Sequence, residues 1–482
     1  MTEPLIYDLS APGRHGTLPP ALDVPTADLP EELLRDDLPL PEVSEIDVVR
    51  HFLRLSQLNY AIDKGIYPLG SCTMKYNPKV NEVAARMAGF GGAHPHQPEA
   101  LAQGALQLMY ELQTYLAEIG GFAGVTLQPA AGAHGELVGV LIMRAYHLAR
   151  GDTARDTILV PDSAHGTNPA TTAMSGLRVV QLPSDDRGNV DLDALRSGIC
   201  ERIVGLMITN PNTLGLFEEQ IEEIVDIVHS CGGLVYGDGA NMNALLGVMR
   251  PGDIGIDVLH YNLHKTFSTP HGGGGPGAGA VGVAEHLVDF LPDPVVAMTP
   301  DEDGRPTYHL AHPSRTIGPI RSFWGHFGIL VRAYTYIRMH GAEGLRSVAE
   351  HAVLNANYLR ARVRDTYHIP FDRLCMHEFV AEGRFRGTDI SALDVSKRLI
   401  DYGVHSPTMY FPLIVHDALM IEPTETESLA SVDDYADALL EIAEEAQTNP
   451  DLLHDAPHTA PVKRLDEVGA ARNPVLRHAT DD

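Results

Sequence analysis

Apolar residues recur along this chain with two different spacings, and the change of spacing divides it. Over residues 99–119, Leu101, Leu108, Leu112, Leu116 and Ile119 fall near one face of a helix, which Gly120 and Gly121 end. After it, short apolar runs alternate with helical stretches. Residues 157–161 (TILVP), 177–182 (LRVVQL), 203–209 (IVGLMIT), 234–237 (LVYG), 257–262 (DVLHYN) and 278–283 (AGAVGV) read as strands. Helices are predicted over 135–149, 191–196 and 218–230, the last ended by Gly232 and Gly233. Short buried strands alternating with helices predict an α/β fold with a mostly parallel central sheet and helices on both faces. From about Phe327 the pattern turns helical again (GILVRAYTYIRMHG), and a smaller C-terminal α+β domain is expected there.

The flanks read differently. Residues 1–45 are rich in Pro, Leu and acids, which predicts an extended arm, and Tyr60, Gly65, Pro68, Gly70 and Pro78 mark an ordered loop. The expected organisation is arm and loop over 1–95, a large α/β domain over 96–326, a smaller domain over 327–450, and a tail over 451–482 that wraps the surface or hangs loose. A length of 482 residues fits more than one core.

Composition narrows the function. With 44% hydrophobic and 21% charged residues the chain reads as soluble and globular. A net charge of -29, from 35 basic and 64 acidic residues, argues against a sequence-independent hold on nucleic acid and against anionic membranes. Cys72, Cys200, Cys231 and Cys375 form no C-x-x-C pair, so no zinc ribbon or thioredoxin-type site is expected. Scattered thiols suit a reducing compartment. The opening MTEPLIYDLS has no basic flank or long apolar stretch, and no apolar run approaches the roughly 20 residues of a membrane span. A cytoplasmic location is expected.

The candidate chemistry sits at strand ends, where ligands of open α/β sheets bind. Asp238 directly follows LVYG, and Lys265 follows the next strand. A buried Asp and Lys at successive strand ends suit pyridoxal 5′-phosphate (PLP): the amine forms a Schiff base, and the carboxylate keeps the ring nitrogen protonated. The pair alone is weak evidence, since most lysines are solvated. Its surroundings strengthen it: His260, His264 and His271 crowd the lysine, and a glycine run at 272–275 follows. Such a run fits a close approach to a cofactor or subunit boundary, with a flexible surface loop as the alternative. In QPAAGAHGE a small-residue turn enters a helix whose free amides favour a phosphate, so Gly132, Ala133 and His134 are candidates. His165 follows TILVP and is placed to stack on a flat ring, or it is a structural histidine. Thr209 ends another strand within reach of a cofactor.

The segments GSCTMKYNP (70–78), QPAAGAHGE (128–136), AHGTNPA (164–170), ITNPNTLG (208–215), GDGANMNALLG (237–247), NLHKTFSTPHGGGGPGAG (262–279), IGPIRSFWGHFG (317–328), and SPTMYFPLIV with LMIEPTETES (406–428) together closely resemble the P-protein family of the glycine cleavage system. The resemblance covers most of residues 60–430 in unbroken order. It implies a fold-type I PLP-dependent transferase. The implied reaction decarboxylates glycine, releases CO2 and passes the aminomethyl group to the lipoyl disulfide of the H-protein. The family occurs as one long chain with two related halves or as two subunits. This chain resembles the Lys-bearing second subunit, which implies a companion subunit 1 and a heterotetramer with two copies of each. The resemblance makes Lys265 the Schiff-base residue, Asp238 the ring-nitrogen partner and His165 the stacking catalytic residue. Ala133, His134 and His264 would hold the phosphate, and Thr209 the ring-hydroxyl side.

Other residues carry less. Cys72 is expected to be a structural thiol, since no second cysteine is near it in sequence. Arg315 and Arg321 are both candidates for the glycine carboxylate. His94 and His96 lack further ligand spacing, so no metal is expected. Trp324 and His326 have no assigned role. The competing readings are another fold-type I enzyme, such as a desulfurase or aldolase, and a scaffold without cofactor; the second predicts loss of the Lys or Asp, and both are intact.

Overall fold

The computed structural model describes residues 3–35, 38–271 and 277–476. The expectation attached to the glycine run, including Gly273, lies outside the described residues. Seven strands form the central sheet: β1 (Gly124–Thr126), β2 (Thr157–Pro161), β3 (Arg178–Leu182), β4 (Ile203–Thr209), β5 (Leu234–Gly239), β6 (Val258–Tyr261) and β7 (Val281–Val283). They run in the order β1-β7-β6-β5-β4-β2-β3. Only β7 opposes its neighbours; every other pairing is parallel. β2, β4, β5 and β6 are buried at every position, as strands covered on both faces must be, while β3 at the edge is largely open.

Covering helices follow the apolar stripes. Helix Gln103–Gly120 buries Leu106, Leu112 and Leu116 and ends on Gly121 in the left-handed conformation (φ 78°), which glycine adopts without a Cβ clash. It begins later than the sequence pattern predicts. Leu101 falls in a preceding short turn and is 71% exposed, so the stripe does not extend to it. The predicted strand at 278–283 is regular only at 281–283. Residues 278 and 280 still accept from the Leu263 and Tyr261 amides, which ties this segment to the end of β6. A hairpin of β8 (Val295–Pro300) and β9 (Pro306–Ala311), and a helix at Glu45–Leu58 capped by Ser44, are additions the pattern does not announce.

Helix Phe327–Val363 serves two cores. Ile329, Leu330 and Ala333 pack with the sheet domain, whereas Leu359 and Val363 pack with Phe379, Leu399 and Leu439. Gly341 breaks it at φ 62°, a conformation that favours glycine. Beyond it β10 (Phe379–Glu382), β11 (Thr408–Met409) and β12 (Ala418–Ile421) form an antiparallel sheet in the order β10-β12-β11, with helices Ala392–Asp401 and Leu429–Thr448.

The segment 69–76 joins this C-terminal part to the site. The Gly70 amide donates to the Met420 carbonyl at 3.2 Å, and a Cβ at Gly70 would lie 2.6 Å from that oxygen. The Ser71 amide donates to Glu378 at 2.6 Å, and Thr73 donates through its amide (2.8 Å) and hydroxyl (2.6 Å) to Glu422. Lys75 pairs with Glu425 at 2.8 Å, both nearly fully buried. Buried charge is tolerated there because the ammonium also reaches Asn243 and the Thr266 carbonyl, each at 2.8 Å.

Candidate active site

The carboxyl ends of β2, β4, β5 and β6 converge on one cavity of about 140 Å³. His165 follows β2, Thr209 closes β4, Asp238 sits at the end of β5, and Lys265 lies in the helical turn Leu263–Thr266 directly after β6. These four line the cavity together with Ala133 and His264. The Lys265 ammonium is half-buried and donates to the Ser71 carbonyl at 2.7 Å, so the 69–76 segment meets the lysine itself.

Asp238 is held in place from three sides. Its carboxylate accepts from the Ala240 amide at 2.9 Å and the Asn168 side chain at 3.1 Å, and His260 Nε2 stands 3.4 Å away. Burial disfavours the charged carboxylate and works to raise its pKa, but His260, these donors and Lys265 outweigh it and hold the carboxyl below its usual range. His260 is itself buried and held below its ordinary value, first by burial; the Tyr236 hydroxyl lies 2.6 Å from its Nδ1. A neutral ring that accepts from Tyr236 and points Nε2–H at Asp238 satisfies both contacts.

The other wall is the start of helix Gly132–Ala149, whose first-turn amides have no partner within the helix. Small residues are required there: a Cβ at Gly132 would come 2.7 Å from Asn262 Oδ1, and one at Gly135 would come 2.8 Å from the Gly279 carbonyl. The ring of His134 is not on the cavity wall. It folds back so that Nδ1 accepts from the Ala130 amide at 3.2 Å, and what it offers the cavity is its place in the first helical turn. His264 stands at the same end, 5.0 Å from the His271 ring, with burial first among the causes that bring it down to about 3.

Residues 348–458 match the family model "Glycine dehydrogenase, C-terminal domain", and residues 140–292 match "Aminotransferase class-V". A protein of Desulforamulus reducens named as a glycine dehydrogenase (decarboxylating) subunit 2 is 55% identical over 99% of this chain and 99% of its own. One of the same name from Caldanaerobacter subterraneus subsp. tengcongensis is 56% identical over 98% of both. The chain belongs to the glycine dehydrogenase (decarboxylating) subunit 2 family. A crystal structure of glycine decarboxylase (P-protein) of the glycine cleavage system shares the fold, with a TM-score of 0.74 at 23% identity over 86% of this chain and 93% of that one.

Members of this family are PLP-dependent enzymes, and the cavity fits that group. Its acid–lysine pair, imidazole and helix amides are the required donor set. Two buried atoms at the cavity lack a protein partner, Thr209 Oγ1 and Asn262 Oδ1, and a ligand there would satisfy them. Arg321 approaches the Gln128 carbonyl at 3.5 Å and borders a separate, largely apolar cavity with His94 and Trp324. Arg315 lies at the surface, paired with Asp289 and stacked on Phe290. Neither arginine lines the cofactor cavity. His326 Nδ1 meets the Gly277 carbonyl at 2.6 Å.

Several polar residues escape the sequence reading. Glu136 lines the cavity at 3% exposure, and burial followed by the charge of Asp238 lifts it to about 7. His377, Glu378 and Glu422 form a fully buried cluster behind the 69–76 segment. Each acid sits inside an apolar run (GELVGVLIM, HEFVA, LMIEP), and an acid so placed is the one signal that marks it.

Proposed function

We propose that this chain is the cofactor-bearing subunit of a split glycine dehydrogenase. It decarboxylates glycine and passes the aminomethyl group to the lipoyl disulfide of an H-protein. The balance closes on these reactants: CO2 leaves, the disulfide opens, one sulfur takes the aminomethyl carbon and the other becomes a thiol. The observation that carries the reading is the joint presence of Lys265 and ionised Asp238 in one cavity, in a chain over half identical to named glycine dehydrogenase subunits along its length.

PLP, when bound, supplies the electron sink for the pair left by departing CO2. Lys265 would hold the cofactor's carbonyl carbon and exchange it for the glycine amine, then carry a proton on Nζ against the Ser71 carbonyl. Asp238 would keep a proton at the ring nitrogen, which its three partners equip it to do by keeping it ionised. The amides of Ala133 and His134 with His264 would hold the phosphate, Thr209 the ring-hydroxyl side, and His165 would cover one ring face.

The companion subunit is supported by uncovered apolar surface. On the arm and the helix Glu45–Leu58, Leu22, Val49 and Phe52 are 74%, 58% and 56% exposed, apolar surface that a companion chain would cover. We place this subunit in the cytoplasm, in an assembly with two copies of each chain; among the described residues no helix is long and apolar enough to cross a membrane. The division into a large domain over 96–326 and a smaller one over 327–450 is supported by separate apolar cores, the first half of helix Phe327–Val363 joining the larger.

The test is an absorbance spectrum of the purified chain with PLP, alone and with its companion, followed by borohydride reduction and peptide mapping. Cofactor fixed on the Lys265 peptide, absent in Lys265→Ala, is expected. Glycine-dependent CO2 exchange should then require a lipoylated carrier protein. No cofactor band in any preparation would overturn the assignment.

A further inference from the structure

On one wall of the cavity, Glu136, Thr167 and His165 form a continuous chain. The Thr167 hydroxyl is 2.7 Å from Glu136 Oε1 and 2.8 Å from His165 Nδ1. Glu136 is further tied to the Thr171 hydroxyl at 3.3 Å, which fixes the carboxyl in place. His165 packs edge-on to Phe411 at 5.4 Å between ring centres.

A threonine hydroxyl has one hydrogen to give, so the chain admits two arrangements. With Glu136 ionised, the hydroxyl donates to the carboxylate and accepts from His165. Nδ1 then carries the ring hydrogen, and Nε2 is left as an acceptor. With Glu136 protonated, the acid donates to the hydroxyl, which donates to Nδ1, and the ring hydrogen moves to Nε2. The Thr167 amide, 3.3 Å from Nδ1, fits the second arrangement, because it needs a lone pair there.

We propose that Glu136 is a positioning residue that sets, through Thr167, which nitrogen of His165 carries the ring hydrogen. It thereby decides whether Nε2 accepts or donates in the cofactor cavity. The inference rests on the reading above that His165 faces the cofactor.

The charges around Glu136 favour its titration. Asp238 and Tyr236 act on it electrostatically, His260, His165 and Lys265 line the same cavity, and Thr167 and Thr171 bond it. Asp238 has the stronger donors and is held low, so of the two acids Glu136 is the one that takes up a proton. Burial first, then Asp238, raises Glu136 to about 7, which puts the exchange between arrangements near neutral pH. His165 is itself kept below its ordinary value, first by burial, and Lys265 adds to this against the pull of Asp238. The neutral ring, with two possible tautomers, is therefore the relevant species.

The experiment is nitrogen NMR of histidine-labelled full chain, assembled with its companion, with the His165 signals identified by their loss in His165→Gln. From about pH 6 to about pH 8, Nδ1 and Nε2 are expected to exchange protonated and unprotonated shifts. A carboxamide cannot titrate, so Glu136→Gln should show one tautomer across that range. Thr167→Val should also abolish the exchange, and Thr167→Ser should restore it. Glycine-dependent CO2 exchange should lose the matching inflection in Glu136→Gln while the cofactor band persists. A wild-type tautomer that does not change with pH, or that changes equally in Glu136→Gln or Thr167→Val, overturns the proposal. Failure of the wild type to bind PLP would instead overturn the functional reading, and the NMR would still decide the relay.

Discussion

Asp238 and the Glu378–Glu422 pair are carboxylates buried to nearly the same degree and within electrostatic reach of the same lysine, yet their pKa values are moved in opposite directions. Burial opposes charge at all three. At Asp238 it is outweighed by His260, the Ala240 amide, Asn168 and Lys265, and the group is held low. Glu378 instead faces the charge of Glu422; burial and that repulsion push it far up despite the Ser71 amide, Lys265 and Asn241. Glu422 is lifted to about 7 by burial, against the two Thr73 donors and Lys265. Between the acids lies His377, fully buried, with neither ring nitrogen hydrogen-bonded and its basicity brought down to about 3, first by burial and then by Lys265; it contributes no cation. Depth alone therefore decides little. The number and kind of donors facing each oxygen decide which acid is held low and which is lifted.

The comparison is broken most severely at Asp238. Asp238→Asn keeps the shape but cannot hold the ring proton, and glycine-dependent CO2 exchange should fall by roughly 10²–10⁴-fold, the range for losing a positioned proton-holding group. Equal activity in wild type and variant would remove Asp238 from the mechanism. Next comes the clamp. Glu422→Ala leaves the buried Thr73 amide and hydroxyl without an acceptor, at a cost of about 2–4 kcal/mol read from the midpoint of urea unfolding. Glu422→Gln, close in shape to the neutral acid, should cost less than about 1 kcal/mol near pH 6.

The pH dependence sharpens the same contrast with a smaller effect. Glu422 has its folded value raised from 4.5 to about 7, so between those values the native state binds a proton that the unfolded chain has released. Its stabilising contribution is complete below 4.5 and falls as pH rises to about 7, by up to roughly 3 kcal/mol. Unfolding measured across this window should show a shallower slope in Glu422→Gln than in the wild type; parallel slopes would mean Glu422 is already ionised. The smallest effect belongs to an acid in neither class. Asp289 pairs with Arg315 at 3.1 Å, both side chains about half exposed. Arg315→Ala should change stability by less than about 1 kcal/mol. It should leave the glycine KM within about twofold, since this guanidinium is outside the cavity. A tenfold rise in KM would restore Arg315 as a carboxylate ligand.

Much of the site is legible before folding because it is local. A residue that follows an apolar parallel strand stands at its carboxyl end, so Asp238, Lys265, His165 and Thr209 are placed on one edge of the sheet, and the strand order then brings them together. The same logic puts Ala133 and His134 at a helix start, but the direction of the His134 ring depends on the Ala130 amide and was not readable. Glu378 and Glu422 were missed for a reason of distance. They bond Ser71 and Thr73 across separations of 307 and 349 residues, and no periodicity spans such a gap. Glu136 lies on the apolar-rich helix Gly132–Ala149, where its burial shows only once Thr167 is docked against it.

Hydrophobic spacing and turn residues thus set the parallel sheet and the residues at its strand ends, and the motif segments carry the resemblance to the family, since each is written in segments of a few residues. Tertiary structure alone decided the clamp on residues 69–76, the turned ring of His134 and the direction in which each buried acid's pKa is moved. Those outcomes depend on which donors reach an oxygen once water has been excluded, and the donors come from parts of the chain that meet only in the folded molecule.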